Sequence, residues 1–233
     1  MEFDGLHAVV TGGTGRLGQA VVAALIEAGA TCHIPYRSEA EVERFPFRDH
    51  AQAKLYPNSE LGDEQSVERL FERVPALWAS IHLAGGFAFG PLREIADTTL
   101  RQQIETNFVT CALCCRGALR AIARTGKGGR IVNVAARAAI EWRSGANMAT
   151  YAASKAAVAA LTVALAEEVV KENVLVNAVA PSIMDTPVNR KDMPNADFSA
   201  WPKVEEVAST ILYLASPANK VTRGAIVTVY GKS

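Results

Sequence analysis

The stretch Thr11-Gly12-Gly13-Thr14-Gly15-Arg16-Leu17-Gly18 restricts the fold of this chain more than any other. An apolar run from Leu6 to Thr11 precedes it and reads as a buried strand. An apolar helix from Gln19 to Ala28 follows, and Gly29 stops it. A strand that passes over glycines straight into a helix leaves backbone N–H groups and the positive helix end aimed at one spot. With no side chains in the way, an anion can come close. Gly12, Thr14, Gly15, Arg16, Leu17 and Gly18 therefore form a candidate cradle for a pyrophosphate.

Strand and helix signals keep alternating after that unit. Strands are expected at Thr31 to Tyr36, Ala53 to Tyr56, Leu77 to Leu83, Arg130 to Ala135, Asn173 to Ala180 and Ala225 to Tyr230. Helices are expected at Asp63 to Val74, over 97–124, from Tyr151 to about Glu172, and at Val204 to Ala215. In the 97–124 helix, Leu100, Ile104, Phe108, Cys111, Cys115, Leu119 and Ile122 recur at steps of three and four. No repeat, linker or low-complexity segment interrupts the pattern. It predicts one domain over 1–233: an α/β, doubly wound Rossmann-type fold with a mostly parallel sheet of about seven strands and helices on both faces. The proline- and aspartate-rich segment from Pro181 to Pro202 reads as a lid.

Composition excludes several functions. Lys plus Arg and Asp plus Glu are 24 each, so there is no basic excess to attract nucleic acid or an anionic membrane. The longest apolar run, 156–166, is too short to span a bilayer, and the N-terminus lacks the pattern of a signal peptide. A cytoplasmic protein is expected. Cys32, Cys111, Cys114 and Cys115 have no second pair to complete a zinc set, so they read as reduced, buried apolar side chains, and no metal site is expected.

The end of the second strand is where a dinucleotide fold reads the adenosine ribose. An acid there would bind the 2′-hydroxyl of NAD; this chain has Tyr36-Arg37. Arg37, with Arg16, suits a 2′-phosphate and favours NADP over NAD; the alternative is that Arg37 is a solvated surface residue.

Tyr151 and Lys155 lie four residues apart in a stretch of high helix propensity, on one face and a turn apart. A cation there is expected to lower the tyrosine pKa from about 10 and make the phenol a proton donor near neutral pH. The bland alternative is an ordinary helix face. Asn107 sits beside the long apolar stripe, either at a kink with a role in the site or at an exposed edge.

These motifs, in this order, resemble the short-chain dehydrogenase/reductase family over essentially the whole chain. The resemblance rests on the glycine turn, Ala84-Gly85 after the fourth strand, Asn107, Tyr151 with Lys155, and Asn177-Ala-Val-Ala-Pro181. It implies an NAD(P)H-dependent oxidoreductase in which Tyr151 passes the proton, Lys155 tunes it and holds the nicotinamide ribose, and Asn107 supports the proton path. It places Glu60 and Leu61 at the adenine ring, Ala84, Gly85 and Gly86 along the cofactor, and Pro181, Ile183 and Thr186 at the nicotinamide. It also implies a homo-oligomer, which the alanine-rich faces of the Tyr151 helix suit.

The chain departs from that family at three places. The glycine spacing is that of longer members, His82-Leu83 replaces an Asn pair, and Ala136 stands where a catalytic Ser is expected. Ser144 lies downstream, out of register. A narrower resemblance, to the dihydropteridine reductases, accounts for Ala136: it rests on Asp185 to Trp201, Ala84-Gly-Gly-Phe87 and Ala135-Ala-Arg-Ala-Ala139. It implies a conjugated, pteridine-like ring as substrate, against which Phe87 and Trp201 would stack; the alternative is that both pack the lid. A general carbonyl or alcohol oxidoreductase and an NADP-binding sensor without chemistry remain the rival readings.

Overall fold

Residues 2–57 and 59–233 are described by the computed structural model. Side chains that alternate between the two faces of its strands build two main cores. In β1 (His7–Thr11), Ala8 and Val10 face one layer and Val9 the other. β2 (Thr31–Pro35), β3 (Ala53–Tyr56), β4 (Leu77–His82), β5 (Gly129–Val134), β6 (Val174–Pro181) and β7 (Ile226–Val229) complete a seven-stranded sheet. Successive strand residues point to opposite faces, so a sheet covered on both sides needs apolar residues at nearly every position. β6 meets that demand, with all eight of its residues buried.

One layer holds α1 (Arg16–Glu27) and supplies Val21, Val22 and Leu25 to the core. The other layer holds α3 (Glu64–Glu72), with Val67, Leu70 and Phe71 buried; between β2 and β3 lies the short α2 (Glu39–Glu43). After β4 the chain runs through α4 (Asp97–Ile104) and α5 (Thr110–Ala123), then β5 and α6 (Ala149–Glu168). α7 (Pro187–Asp192) and α8 (Val204–Ala215) follow β6, and α8 packs beside α1 through Val207, Ile211 and Leu214. The strand order is β3-β2-β1-β4-β5-β6-β7, every pairing parallel. The order reverses between β1 and β4. A doubly wound sheet opens a crevice at the carboxyl ends of the two strands flanking such a reversal. The glycine turn after β1 and Ala84-Gly85-Gly86 after β4 both lie there.

Four local readings are corrected. α1 starts at Arg16 rather than Gln19, because glycines do not prevent the first turn from closing once Gly15 is extended. The 97–124 segment is two helices joined by a π turn at Glu105–Val109, in which the Thr110 N–H and hydroxyl both reach the Glu105 carbonyl. The wide turn shifts the buried face, so Leu100 is exposed while Cys111, Cys114 and Cys115 are buried. α6 ends at Glu168, and a short 3₁₀ turn at Val170–Glu172 precedes Asn173, whose φ of 56° closes it. The segment from Pro181 to Pro202, expected as a loop, holds the short helix α7, which Thr186 caps by accepting the Asn189 N–H at 3.2 Å.

α6 also corrects the expectation that no run is long enough to span a bilayer. Its 20 residues, with a mean hydropathy of 1.4 over the best window, pass that test by length and composition. In the fold it buries Ser154, Lys155 and Thr162 alongside Val158 and Leu165.

A polar row crosses the edge of the sheet. His7 Nδ1 lies 2.9 Å from His33 Nε2, and His33 Nδ1 lies 2.7 Å from the Tyr56 hydroxyl. Burial, with His7 and Lys54 nearby, pushes the His33 pKa down to about 4. Below pH ~6.5 an unfolded chain takes up a proton that the folded one resists. Stability is therefore expected to be intact above about pH 6.5 and to fall by on the order of 2 kcal/mol as pH drops towards about 4. Urea melts of wild type and His33→Gln at pH 7 and at the acid end test this; equal acid losses in both would exclude His33 as the cause.

Candidate active site

The glycine turn is held by close packing. Gly12 has φ +65°, and a Cβ there would sit 2.8 Å from the Ala84 nitrogen. A Cβ on Gly18 would overlap the Gly12 carbonyl oxygen. The turn is thus pressed both against the loop after β4 and against the first turn of α1. Gly15 offers no side chain to cap α1, so the first N–H groups of that helix stay open towards the crevice. The residues present fit a pyrophosphate.

On the far side of the crevice stand the α6 residues. Lys155 is buried, and its Nζ donates to the Val134 carbonyl at 2.7 Å. Burial lowers its pKa to about 8. The Tyr151 ring is packed edge-on by Phe87, with centroids 4.9 Å apart. Burial pushes the phenol up to about 12, which is opposite to the lowering expected from Lys155. Loss of water around the buried phenol sets that direction.

Asn107 is buried in the π turn, which settles its two readings in favour of the kink. Its Oδ1 accepts the Gly86 N–H at 2.7 Å, and its Nδ2 donates to the Gly86 carbonyl at 3.0 Å and the Ser154 hydroxyl at 2.9 Å. Ser154 in turn donates to the Tyr151 carbonyl at 2.8 Å. One amide therefore ties the loop after β4 to the first turns of α6. Gly85 lies against the same group: a Cβ there would come within 2.8 Å of Asn107 Oδ1 and 3.4 Å of Lys155 Nζ.

A cleft of about 350 Å³ joins these parts. Gly12, Gly15, Arg16, Leu17, Gly18, Gly85, Gly86, Tyr151, Lys155 and Pro181 line it, together with Phe87, Ala136, Ser182 and Met184. Ala84 stands behind it, donating its N–H to the Thr11 hydroxyl at 3.2 Å. The remaining expected residues lie outside this lining. Thr14 donates its hydroxyl to Glu41 at 3.2 Å, and Tyr36 donates to Glu39 at 3.0 Å. Arg37 is exposed and pairs loosely with Glu41 at 3.9 Å. Glu60 and Leu61 follow Ser59, whose N–H reaches the Tyr36 carbonyl at 3.0 Å, so they sit at the end of β2. In the segment after β6, Ile183 is exposed and Thr186 is buried as the cap of α7.

Ala136 is buried on the cleft wall. Ser144 does not replace the missing hydroxyl: it is exposed and donates to the Glu141 carbonyl at 2.7 Å. Trp201 is buried against Phe198, with rings 5.0 Å apart, so it packs the lid. Phe87 alone of the two aromatics reaches the cleft, and it is 61% exposed.

Two features escaped the sequence. Ser154 looks like helix filler inside the Tyr-x-x-x-Lys motif; only the turn geometry of α6 shows that it meets Asn107. His82 and Asn133 are strand residues 51 positions apart, yet the β4–β5 pairing sets them opposite each other, with His82 Nδ1 2.8 Å from Asn133 Oδ1. The register of two parallel strands was the missing signal.

Comparison with known proteins gives a consistent picture. The family model described as short chain dehydrogenase matches residues 6–197. Cis-4-hydroxycyclohexanecarboxylate dehydrogenase of Sinomonas cyclohexanicum is 34% identical over 96% of this chain and 94% of its own. Galactitol 2-dehydrogenase of Rhizobium johnstonii is 30% identical over 98% and 95%. A solved structure of a short chain dehydrogenase/reductase family protein superposes with a TM-score of 0.90 at 28% identity, covering 99% of this chain and 98% of the other. The structure of ElxO with NADP bound, at 23% identity and a TM-score of 0.86 over 97% of each chain, shares the fold.

Proposed function

The chain belongs to the short-chain dehydrogenase/reductase family, and from that premise we propose a single-domain NAD(P)-dependent enzyme interconverting an alcohol and a carbonyl on a ring-bearing substrate. The observation that carries this reading is the one cleft shared by the glycine turn, Tyr151 and Lys155. A nicotinamide dinucleotide bound there supplies or takes the hydride. Gly12, Thr14, Gly15, Arg16, Leu17 and Gly18 cradle its pyrophosphate. Tyr36, Arg37, Glu60 and Leu61 serve its adenosine end, and Ala84, Gly85, Gly86, Pro181, Ile183 and Thr186 serve its nicotinamide end. Tyr151 gives the proton to the reacting oxygen. Lys155 keeps positive charge behind it, and Asn107 fixes Gly86 and Ser154 so that loop and helix stay in register.

A second reading keeps the same residues but puts a pteridine-like ring in the cleft. It is favoured by Ala136, because adding hydride and a proton across a conjugated C=N needs no hydroxyl to polarise a ketone. Phe87 offers an aromatic face for either ring. The exposed Ala153, Ala160 and Ala164 on α6 suit close approach of a second copy, and four free buried cysteines suit a reducing cytoplasm.

Steady-state assays with hydroxycyclohexane carboxylates, cyclic ketones and a quinonoid dihydropterin separate the readings. Turnover of the alicyclic set supports the first. Turnover of the pterin alone supports the second. Tight cofactor binding with neither would leave a sensor. NADPH is the expected preference. Arg37→Asp is expected to lower kcat/KM for NADPH by about 10- to 100-fold, because a charge-assisted contact to the 2′-phosphate is lost. An unchanged NADPH/NADH ratio would return Arg37 to the solvated surface.

A further inference from the structure

Beneath the cleft, four donor atoms converge in the interior. His82, Cys111 and Cys115 are all buried, and one ring nitrogen and the two Sγ atoms lie within 4.8 Å of one another. The side-chain oxygen of Asn133 sits among them, 2.8 Å from His82 Nδ1, 3.3 Å from Cys111 Sγ and 3.5 Å from Cys115 Sγ. His82 Nδ1 and Cys115 Sγ are 3.5 Å apart. We propose that His82, Cys111, Cys115 and the Asn133 oxygen form a site for one thiophilic divalent cation of the zinc type.

The separations suit that occupant. Metal–ligand bonds of about 2.0–2.3 Å in a tetrahedron put the ligand atoms roughly 3.3–3.8 Å apart. Of the six separations among four ligand atoms, three lie at that scale, the two that involve Cys111 Sγ with His82 and Cys115 lie within 4.8 Å, and the His82–Asn133 contact must open by about half an ångström. Two thiolates, an imidazole and an amide oxygen form a soft donor set. The supporting contacts are also in place. His82 Nε2 lies 2.8 Å from the Ser80 hydroxyl, which can accept the ring N–H and leave Nδ1 free to ligate. Asn133 Nδ2 donates to the Thr162 hydroxyl at 2.9 Å, which aims the amide oxygen at the cluster. As it stands, one oxygen with two lone pairs faces three potential donors. A divalent cation resolves that crowding: both thiol protons leave to solvent, the imidazole keeps its one ring proton at Nε2 facing Ser80, and the cation with two thiolates is neutral in a dry interior.

The site touches the catalytic frame at three points. Asn133 precedes Val134, whose carbonyl holds Lys155; Cys111 is one turn beyond Asn107; and His82 opens the loop that carries Gly86. Occupancy therefore bears on the segments that hold Lys155 and Asn107.

Cadmium is the probe. Reduced native protein is stripped with chelator, then titrated with Cd²⁺ and left at each addition until the near-ultraviolet thiolate-to-metal band is constant. The expected result is saturation at one equivalent, with an intensity counting two thiolates. Cys111→Ser and Cys115→Ser should each abolish the two-thiolate band, while Cys32→Ser should keep it. Ser80→Ala should weaken affinity about 10- to 100-fold through the imidazole alone. Should the cluster variants fail to fold, the wild-type titration still decides. No band, a band of another stoichiometry, or a band lost in Cys32→Ser overturns the proposal.

Discussion

Tyr151→Phe is expected to lower kcat by about 10²- to 10⁴-fold in either direction while leaving cofactor affinity within a few-fold of wild type. The reasoning is one of elimination within the cleft. Its polar side chains are Arg16, Tyr151, Lys155 and Ser182. Ser182 donates to the Tyr230 carbonyl at 3.0 Å, and Lys155 is committed to Val134. A guanidinium does not release its proton. That leaves the phenol as the group to hand over. Phenylalanine keeps the ring that packs against Phe87, so the wall of the cleft should survive. Burial pushes Tyr151 up to about 12, so it carries its proton throughout the neutral range and is ready to give it. Lys155, lowered to about 8, is charged below that pH and loses its charge above it. Reduction that depends on this charge should therefore decline as pH rises through about 8. Stopped-flow and steady-state rates of the two proteins, with cofactor titrated separately, are the test; undiminished turnover in Tyr151→Phe would end the proton-donor assignment.

The second large effect is a gain. Ala136→Ser should raise kcat/KM for simple ketones by about 10²-fold, since a hydroxyl on the cleft wall adds a hydrogen bond to the developing oxyanion. Alanine and serine differ by one atom, and position 136 already faces the cleft, so the fold should accept the change. Ser144→Ala should leave the same rates unaltered, because its hydroxyl is spent on the Glu141 carbonyl. If the serine variant gains nothing on ketones yet folds normally, wall position 136 does not reach the reacting oxygen. If the native substrate is a conjugated ring, its turnover should barely respond to either change.

The glycine turn, the strand–helix alternation and the Tyr-x-x-x-Lys pair were readable because each depends on neighbours a few residues away. Gly12 and Gly18 sit in a single turn, and Tyr151 and Lys155 on a single helix face. What depended on distant pairing was not readable. His82 and Asn133 meet only because β4 and β5 are parallel at one register. The pKa of Tyr151 was misjudged for a related reason: sequence spacing reports the nearby cation but not how far the fold strips the phenol of water. The break between α4 and α5 was hidden because the apolar repeat runs through it unbroken, and a π turn leaves no mark in composition. Trp201 and Phe87 looked equivalent as flat side chains; the lid buries one against Phe198 and leaves the other in the cleft.

The wide turn at Glu105–Val109 acts as a gear offset within one continuous rod. Upstream, α4 turns Gln103 inward; downstream, α5 turns Cys111, Cys114 and Cys115 inward, and Asn107 sits at the change of phase. The turn takes up one more residue than ordinary 3.6-residue winding does, so removing a single residue from it would close the turn and move Asn107 from its place at the change of phase. Asn107 would then lose its contacts to Gly86 and Ser154. A chain built this way tolerates exchange of side chains along the rod far better than a change in its count.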